Sequence, residues 1–323
     1  MSATQARVAA TAVVCFAIVA CNSTSTAPPP PNSTPPVGLQ TDTRVLLGSR
    51  PYSVAVGTNN IAYISQLDAG TLAAATLPAL SLSGSVPVGN TPTEVAFNSS
   101  GTKAYVTNQF SQDVGVIDVA SNTQTATVPV SGNPFALIVA PGDSVVYVTT
   151  TADSLFGIAT ATNTITHRLW LPIISNGMAI RDSLLYVSTR DAGIVSEINT
   201  RSNTLLRVFS VGGAPQGVVL SPSKTELYIA NQDSTLQFWS IPANASLGTA
   251  RIAGRGFGLA QSPATQLLFV TTLEGGEVQV FSPVTRAQVD SFMIGGVVRR
   301  IAFNASGTVA VVANEDGWVD FLH

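Results

Sequence analysis

Charge and histidine are both scarce in this sequence, and each shortage excludes a class of function. Only 10% of the 323 residues are charged, against about 25% in a typical soluble domain, and the formal net charge is −3. Nucleic acids are bound by strongly basic surfaces, so no nucleic-acid partner is expected. The two histidines are His323 and His167, which lies on a predicted outer strand and is interpreted as a solvated residue. A Ser-His-Asp relay would have to use His167, and we assign no catalytic residue.

Cysteine is nearly absent as well, and the two that occur indicate a lipid-modified N-terminus. Residues 1–20 are expected to be a signal peptide, because Arg7 is their only charge and the apolar run of residues 8–20 is too short to span a bilayer. The run ends in Ile-Val-Ala before Cys21, which resembles a bacterial lipobox and implies cleavage before Cys21 and acylation of that residue. An ordinary secretory signal cut nearby is the alternative. It would leave Cys21 as a lone cysteine, since Cys15 departs with the signal.

Lipid on Cys21 would place the protein in the cell envelope, outside the cytoplasmic membrane. Several acyl chains, such as palmitate, anchor a protein stably, since each buried methylene contributes about 0.8 kcal/mol. Asn22, rather than aspartate, follows the cysteine, which by analogy with lipoprotein sorting favours the outer membrane. With Cys21 acylated and two histidines, the usual zinc or copper ligand set cannot be assembled, and no Cys-x-x-Cys-His motif for covalent haem exists. No metal or cofactor is expected.

Proline separates a tether from a folded domain. Residues 21–41 are rich in proline, serine and threonine, a composition that favours extended polyproline II structure and offers no apolar period for folding. We interpret this segment as a tether that holds the domain off the membrane. A proline-rich ligand motif is the alternative, but the usual readers of such motifs are intracellular. Residues 42–323 are expected to form the folded domain.

The folded domain contains a sevenfold repeat. One strand residue recurs every 39 to 42 positions, at Tyr63, Tyr105, Tyr147, Tyr186, Tyr228, Phe269 and Val311. Each repeat reads as an apolar strand after a glycine-containing turn, the strand with this residue, a third strand and a more polar fourth strand. The pattern predicts an all-β fold, a seven-bladed β-propeller of four-stranded antiparallel blades. The last repeat supplies only three strands, so residues 43–47 are expected to join it and close the ring.

The repeat resembles a known family at its second strand. That strand reads Tyr105-Val-Thr-Asn108 in the second repeat, Asn231 and Asn314 occupy the position of Asn108, and Val116-Ile-Asp118 follows on the third strand. These residues resemble the YVTN family of β-propeller repeats, over residues 44–323. The asparagine is replaced elsewhere by Gln66, Thr150, Thr189 and Thr272, and the signature pairs of WD repeats are absent. The resemblance implies an extracytoplasmic or surface protein of bacteria or archaea, often without known activity, with some lactonase-like or redox-enzyme-like relatives.

Acidic residues recur in the turn after the second strand, on one predicted face of the disc. They are Asp68, Asp191, Asp233, Glu274 and Asp316, with Asp113 and Asp153 in the same turns of the two other repeats. A ring of carboxylates would concentrate cations. The alternative is ordinary turn chemistry, in which aspartate caps its own turn.

The turns that enter the innermost strands are expected on the same face and carry the candidate ligand-binding residues. These are Arg50, Tyr52, Glu94, Arg255, Phe257, Arg299 and Arg300. The arginines belong to blades 6, 7 and 1, which are neighbours in a closed ring. One interpretation is a pocket for an anionic or carboxylate-bearing ligand, with planar arginine donors and walls formed by Tyr52, Phe135 and Phe257. The other pairs the arginines with Asp68, Glu274 and Asp316 as ordinary surface ion pairs.

The sequence therefore predicts a non-catalytic binding or protein-interaction scaffold, held at a membrane by lipid on Cys21. Its partner would be another envelope protein or an anionic small ligand. The alternative is a lactonase-like hydrolase that uses the axial funnel. Glu94 with Arg299 or Arg300 is the candidate cluster for polarising an ester in that case.

Overall fold

The chain folds into seven separate four-stranded antiparallel sheets, in a computed structural model that describes residue 39 and residues 41–77, 79–171 and 175–323. The sheets follow one another along the chain, which confirms the predicted seven-bladed β-propeller. The predicted signal peptide, the acylated Cys21 and the tether up to residue 38 lie outside the described residues. Within the described ranges, no helix is long and apolar enough to cross a membrane.

The strands of blades 1 to 4 lie in the order of the chain, from the axis outward. Strand β1 (Thr41–Leu46) precedes them. Blade 1 comprises β2 (Pro51–Val56), β3 (Ile61–Gln66), β4 (Thr71–Thr76) and β5 (Ser81–Pro87). Blade 2 comprises β6 (Pro92–Phe97), β7 (Lys103–Asn108), β8 (Asp113–Asp118) and β9 (Thr123–Pro129). Blade 3 comprises β10 (Pro134–Val139), β11 (Val145–Thr150), β12 (Ser154–Ala159) and β13 (Thr164–Trp170). Blade 4 comprises β14 (Ser175–Arg181), β15 (Leu184–Thr189), β16 (Ile194–Asn199) and β17 (Thr204–Ser210).

The remaining blades repeat the arrangement, and the last one borrows a strand. Blade 5 comprises β18 (Pro215–Leu220), β19 (Glu226–Asn231), β20 (Thr235–Ser240) and β21 (Ala245–Arg251). Blade 6 comprises β22 (Gly256–Gln261), β23 (Leu268–Thr272), β24 (Glu277–Phe281) and β25 (Gln288–Met293). Blade 7 comprises β26 (Val298–Phe303), β27 (Ala310–Asn314) and β28 (Trp318–Leu322), with β1 as its outermost strand.

Strand β1 closes the ring, as the sequence predicts. It pairs antiparallel with β28, so that blade 7 is built from both ends of the described chain. Arg44 reinforces the pairing, because its Nε donates to the Asp320 carboxylate at 2.8 Å and its guanidinium lies 4.4 Å from the centre of the Trp318 ring. Side chains alternate along β1: Val45 packs against the core, whereas Leu46 is 75% exposed. The pairing covers the edge of β28, which would otherwise be free to pair with another chain.

The aromatic residue of the repeat holds neighbouring blades together. Tyr63 is fully buried, and it packs in one cluster with Val95 and Ile117 of blade 2. Its hydroxyl donates to the side-chain oxygen of Asn122, also in blade 2, at 2.9 Å. Burial raises the pKa of Tyr63 to about 12. Tyr63 therefore fills the space between blades 1 and 2 and satisfies its polar end in the next blade, whereas the Tyr186 hydroxyl donates to Glu197 of its own blade.

In several repeats, a serine or threonine of the second strand connects its blade to the next one. Every innermost strand has a register shift close to its first residue, a β-bulge that changes where the following side chains point. In blade 4, the Ser188 hydroxyl accepts from the Gly177 amide at 2.8 Å and donates to the carbonyl of Gln216, in blade 5, at 2.9 Å. In blade 2, the Thr107 hydroxyl bonds the Glu94 amide and the Phe135 carbonyl of blade 3, both at 3.0 Å. The threonine of the Tyr-Val-Thr-Asn sequence therefore has a structural role, because its hydroxyl joins two blades.

Candidate functional site

The innermost strands place two rings of residues around the axis, near the face that we call the upper face. This face carries Arg50, Asp68, Arg255 and Glu274. Backbone hydrogen bonds of 2.9 Å from Leu67 to Arg50 and from Leu273 to Arg255 join the turns to the strand entrances there. The second residue of each innermost strand gives the upper ring: Tyr52, Thr93, Phe135, Asn176, Gln216, Phe257 and Arg299. The third residue gives the lower ring: Ser53, Glu94, Ala136, Gly177, Gly217, Gly258 and Arg300.

Aromatic side chains of the upper ring meet across the axis. The Tyr52 ring lies 6.2 Å from Phe135 and 5.7 Å from Phe257, edge to face in both cases, although the three belong to blades 1, 3 and 6. The Arg299 guanidinium lies 5.1 Å from the Tyr52 ring centre and 4.9 Å from that of Phe257. Burial raises the pKa of Tyr52, with Arg300 and Arg299 acting in the opposite direction. The predicted aromatic walls thus pack on one another and on an arginine, rather than around an open funnel.

Glu315 is the anion that balances this layer. It forms ion pairs with both Arg299 and Arg50, and its side chain is 11% exposed. Burial raises the pKa of Glu315, but the hydrogen bond from Arg50 and the charge of Arg299 outweigh burial, so the pKa lies below its ordinary value. The sequence reasoning missed this residue and named its neighbour Asp316 as the partner. The signal was available in the repeat, because Glu315 directly follows Asn314 at the start of the turn.

The other arginines predicted for the site are also paired with carboxylates. Arg50 lies 3.5 Å from Asp68, and Arg255 pairs with Glu274, two of the partners that the ion-pair interpretation names. Inside the ring, Arg300 pairs with Glu94 at 2.9 Å. Four arginines therefore face four carboxylates. Charge is balanced locally rather than left free for an anion.

Three further turn acids are likewise engaged in local contacts. Asp191 pairs with Arg190 at 2.6 Å, and the hydrogen bond from that arginine holds the pKa of Asp191 below its ordinary value. Asp113 accepts from the Asn108 amide at 2.7 Å, and Asp233 accepts from a threonine hydroxyl two residues later. These contacts are those of the turn-chemistry interpretation. Across the described ranges, no group of three or more histidine, cysteine or acidic residues is arranged to hold a metal ion.

A cavity of about 230 Å³ lies on the axis below the aromatic layer. Its polar end is the Glu94–Arg300 pair, and the Ser53 hydroxyl donates to Glu94 at 2.6 Å. Asn176 also lines the cavity, with its Nδ2 buried and without a hydrogen-bond partner among the described residues, and apolar side chains such as Leu137, Val218 and Ile301 form the remaining wall. Ser53 is fully buried and does not line the cavity, so this hydroxyl is not positioned to attack a bound ester. His167 lies on outer strand β13, as predicted, and hydrogen-bonds to Thr166.

Two clefts open on the upper face beside the axis, and they meet at Asp68. The first, of about 370 Å³, lies at the junction of blades 7 and 1 and is lined by Leu46, Gly48, Ser49, Arg50, Asp68, Glu315, Asp316 and Gly317. The second, also of about 370 Å³, lies between blades 1 and 2 and is lined by Leu67, Asp68, Ala69, Gly70, Asn90, Thr91 and Phe110. Each cleft includes one strongly exposed apolar side chain, Leu46 at 75% and Phe110 at 68%. Neither apolar residue was singled out from the sequence.

Comparison with known proteins identifies the architecture and no more. No family model matches the sequence, and no curated protein matches it. Among solved structures, a chain of hydrazine synthase from Kuenenia stuttgartiensis is similar, with a TM-score of 0.75 and 15% sequence identity. The similarity covers 84% of this chain and 94% of that one. At this level of identity, the likeness shows a shared β-propeller fold alone.

Proposed function

We propose that this propeller is a non-catalytic binding module of the cell envelope that docks another protein on its upper face. The observation that carries the proposal is the pair of clefts that meet at Asp68, with Leu46 and Phe110 exposed at their ends. Exposed apolar groups beside polar clefts are typical of protein interaction sites.

The charges around the clefts favour one kind of partner. Asp68 and Asp316 are both exposed, and Arg50 is shared between Asp68 and Glu315. The first cleft therefore carries more negative than positive charge. We infer that its partner presents a basic residue next to an apolar one, since complementary charge steers and orients association. An anionic ligand would have to displace carboxylates from arginines that are already paired.

The docking proposal is tested by site-specific photo-crosslinking in the native envelope. A photoreactive residue at position 46 or 110 should give one discrete protein adduct, and Asp68→Arg should abolish the adduct from both. The matched control is position 284, because Val284 is 88% exposed and lies in blade 6 outside the clefts. Adducts of equal yield from all three positions, or no adduct from positions 46 and 110, would refute the docking site.

Two other outcomes would replace the proposal with another function. Stabilisation by a small carboxylate that is lost in Arg50→Met would support the anion site. Turnover of lactones that is lost in Glu94→Ala, with the fold intact, would support the hydrolase. We also propose the envelope location through acylation at Cys21, probed by Cys21→Ser. If that variant remained in the membrane fraction, the lipid anchor would be wrong.

A further inference from the structure

Exposed apolar side chains gather on the outer strands of blades 3 and 4, across the ring from the first cleft. We call this set the apolar rim: Trp170 at 68% exposed and Ile165 at 40% on β13, and Leu206 at 50%, Leu205 at 41% and Val208 at 37% on β17. The outer strand of an antiparallel blade usually presents polar residues to water, as the threonines of β9 do. A group of exposed apolar side chains of this kind is typical of a contact with a partner or a membrane.

The two strands of the apolar rim belong to one surface. The Asn203 side chain, in the turn that precedes β17, donates to the backbone carbonyl of Arg168 on β13 at 3.1 Å. This bond brings the turn that carries Arg201 against the neighbouring blade. Two arginines therefore lie within the same surface as the apolar side chains.

The surface is positively charged, in contrast to the chain as a whole. Arg168 and Arg201 are exposed, and neither forms an ion pair among the residues that the structure describes. The two outer strands of blades 3 and 4 are β12, β13, β16 and β17. Their one acidic residue is Glu197, which is buried and paired with Arg207. The whole sequence has a formal net charge of −3. Within these four strands, basic and apolar side chains are thus combined without a free carboxylate, and Asp153, in the turn before β12, is the acid beside Trp170.

We propose that the outer rim of blades 3 and 4 rests on an anionic lipid surface. An exposed tryptophan, with an apolar body and a polar N–H, prefers the boundary between headgroups and acyl chains. Unpaired arginines beside it are attracted to anionic headgroups. In a ring of seven, blade 4 lies opposite the junction of blades 7 and 1. The contact would therefore leave the first cleft, which lies at that junction, turned away from the lipid. The inference does not depend on the docking function of those clefts.

The test uses the mature protein purified from its host envelope and bound to vesicles that contain brominated phosphatidylglycerol. Brominated acyl chains quench tryptophan fluorescence at short range. Of the three tryptophans, Trp170 is exposed, Trp239 is buried, and Trp318 is half-buried beside Arg44 in blade 7. We expect quenching that is lost in Trp170→Phe. Arg168→Gln and Arg201→Gln should each raise the lipid concentration required for half-maximal quenching about fivefold. Leu206→Ser should weaken it too, whereas Val284→Ser, an exposed change in blade 6, should leave it unchanged.

Each remaining outcome overturns the proposal. Quenching that persists in Trp170→Phe would place another part of the protein on the lipid. Equal quenching in neutral brominated phosphatidylcholine vesicles would exclude a role for the arginines. Absence of quenching on vesicles, combined with protection of Trp170 from a water-soluble quencher in native envelopes, would assign the rim to a protein partner. Absence of both would leave the rim facing water.

Discussion

Removal of the Ser188 hydroxyl should destabilise the propeller strongly, because this one atom serves two backbone groups at a blade junction. Ser188 is fully buried, and its hydroxyl serves the Gly177 amide at 2.8 Å and the Gln216 carbonyl at 2.9 Å. Ser188→Ala leaves both groups without this partner, and an unsatisfied buried polar group costs about 1 to 3 kcal/mol. We expect a loss of about 2 to 4 kcal/mol in the free energy of unfolding. In a domain of this size, that corresponds to a fall in Tm of roughly 4 to 8 °C.

A comparison with blade 2 makes the reasoning specific. Thr107→Val removes the equivalent hydroxyl, but the Phe135 carbonyl still accepts from Thr93 at 2.8 Å, so only the Glu94 amide is left unpaired. The expected loss is about 1 to 2 kcal/mol, smaller than for Ser188→Ala.

Ser202→Ala is the matched control, since that serine is exposed and bonds only Thr204, at 2.7 Å, through its hydroxyl. It should change stability by less than about 0.5 kcal/mol. Urea unfolding followed by circular dichroism measures all three variants. If Ser188→Ala matched this control, or if Thr107→Val were the more damaging change, the role given to the hydroxyls would be wrong.

Three further predictions address closure, turn geometry and pH. Val45→Asp should lower the free energy of unfolding in urea by at least about 2 kcal/mol. Leu46→Asp, one residue along β1, should change it by less than about 0.5 kcal/mol. Equal effects would contradict the register of the closing strand. Gly276→Ala should lower Tm far more than Gly142→Ala, because both have positive φ, but a side chain at 276 would lie 2.3 Å from the Gly295 backbone and one at 142 meets open space. The pKa of Tyr63 is raised from 10 to about 12, so its contribution to stability is complete below pH 10 and is lost as the pH rises towards 12. Between pH 10 and pH 12, the free energy of unfolding of Tyr63→Phe should therefore fall less than that of the parent protein.

The fold was predictable because its information is periodic. Seven strand residues at intervals of 39 to 42 positions specify the number of blades, and a strand left over at one end of the domain specifies the closure. The hydroxyl position was visible too, since Thr107 and Ser188 occupy the same place in their repeats. Its role was not, because the bond to the next blade depends on a bulge that no local pattern encodes. Contacts between repeats require the ring geometry as well as the repeat.

The candidate site was predicted in composition but not in arrangement. Tyr52, Phe135 and Phe257 were expected to be walls, and their common position in the repeat does place them at one level of the axis. Whether they line a funnel or fill it depends on the width of the ring, which the sequence does not state. Centroid distances of 6.2 and 5.7 Å show that they fill it. Glu315 was missed for a similar reason, since its two partners come from different blades.

The closed axis changes where function should be sought. In a propeller with an open funnel, a ligand can contact all seven blades at once, and polar residues of the rings become its binding site. Here Arg299 is held between two aromatic rings and is neutralised by Glu315, so a ligand approaching from the upper face would have to separate a packed layer before reaching Glu94 and Arg300. The accessible features are instead peripheral: one cleft at the junction of blades 7 and 1, a second between blades 1 and 2, and an apolar, basic rim on blades 3 and 4. That separation suits a module that rests on one surface and presents a second surface to a partner.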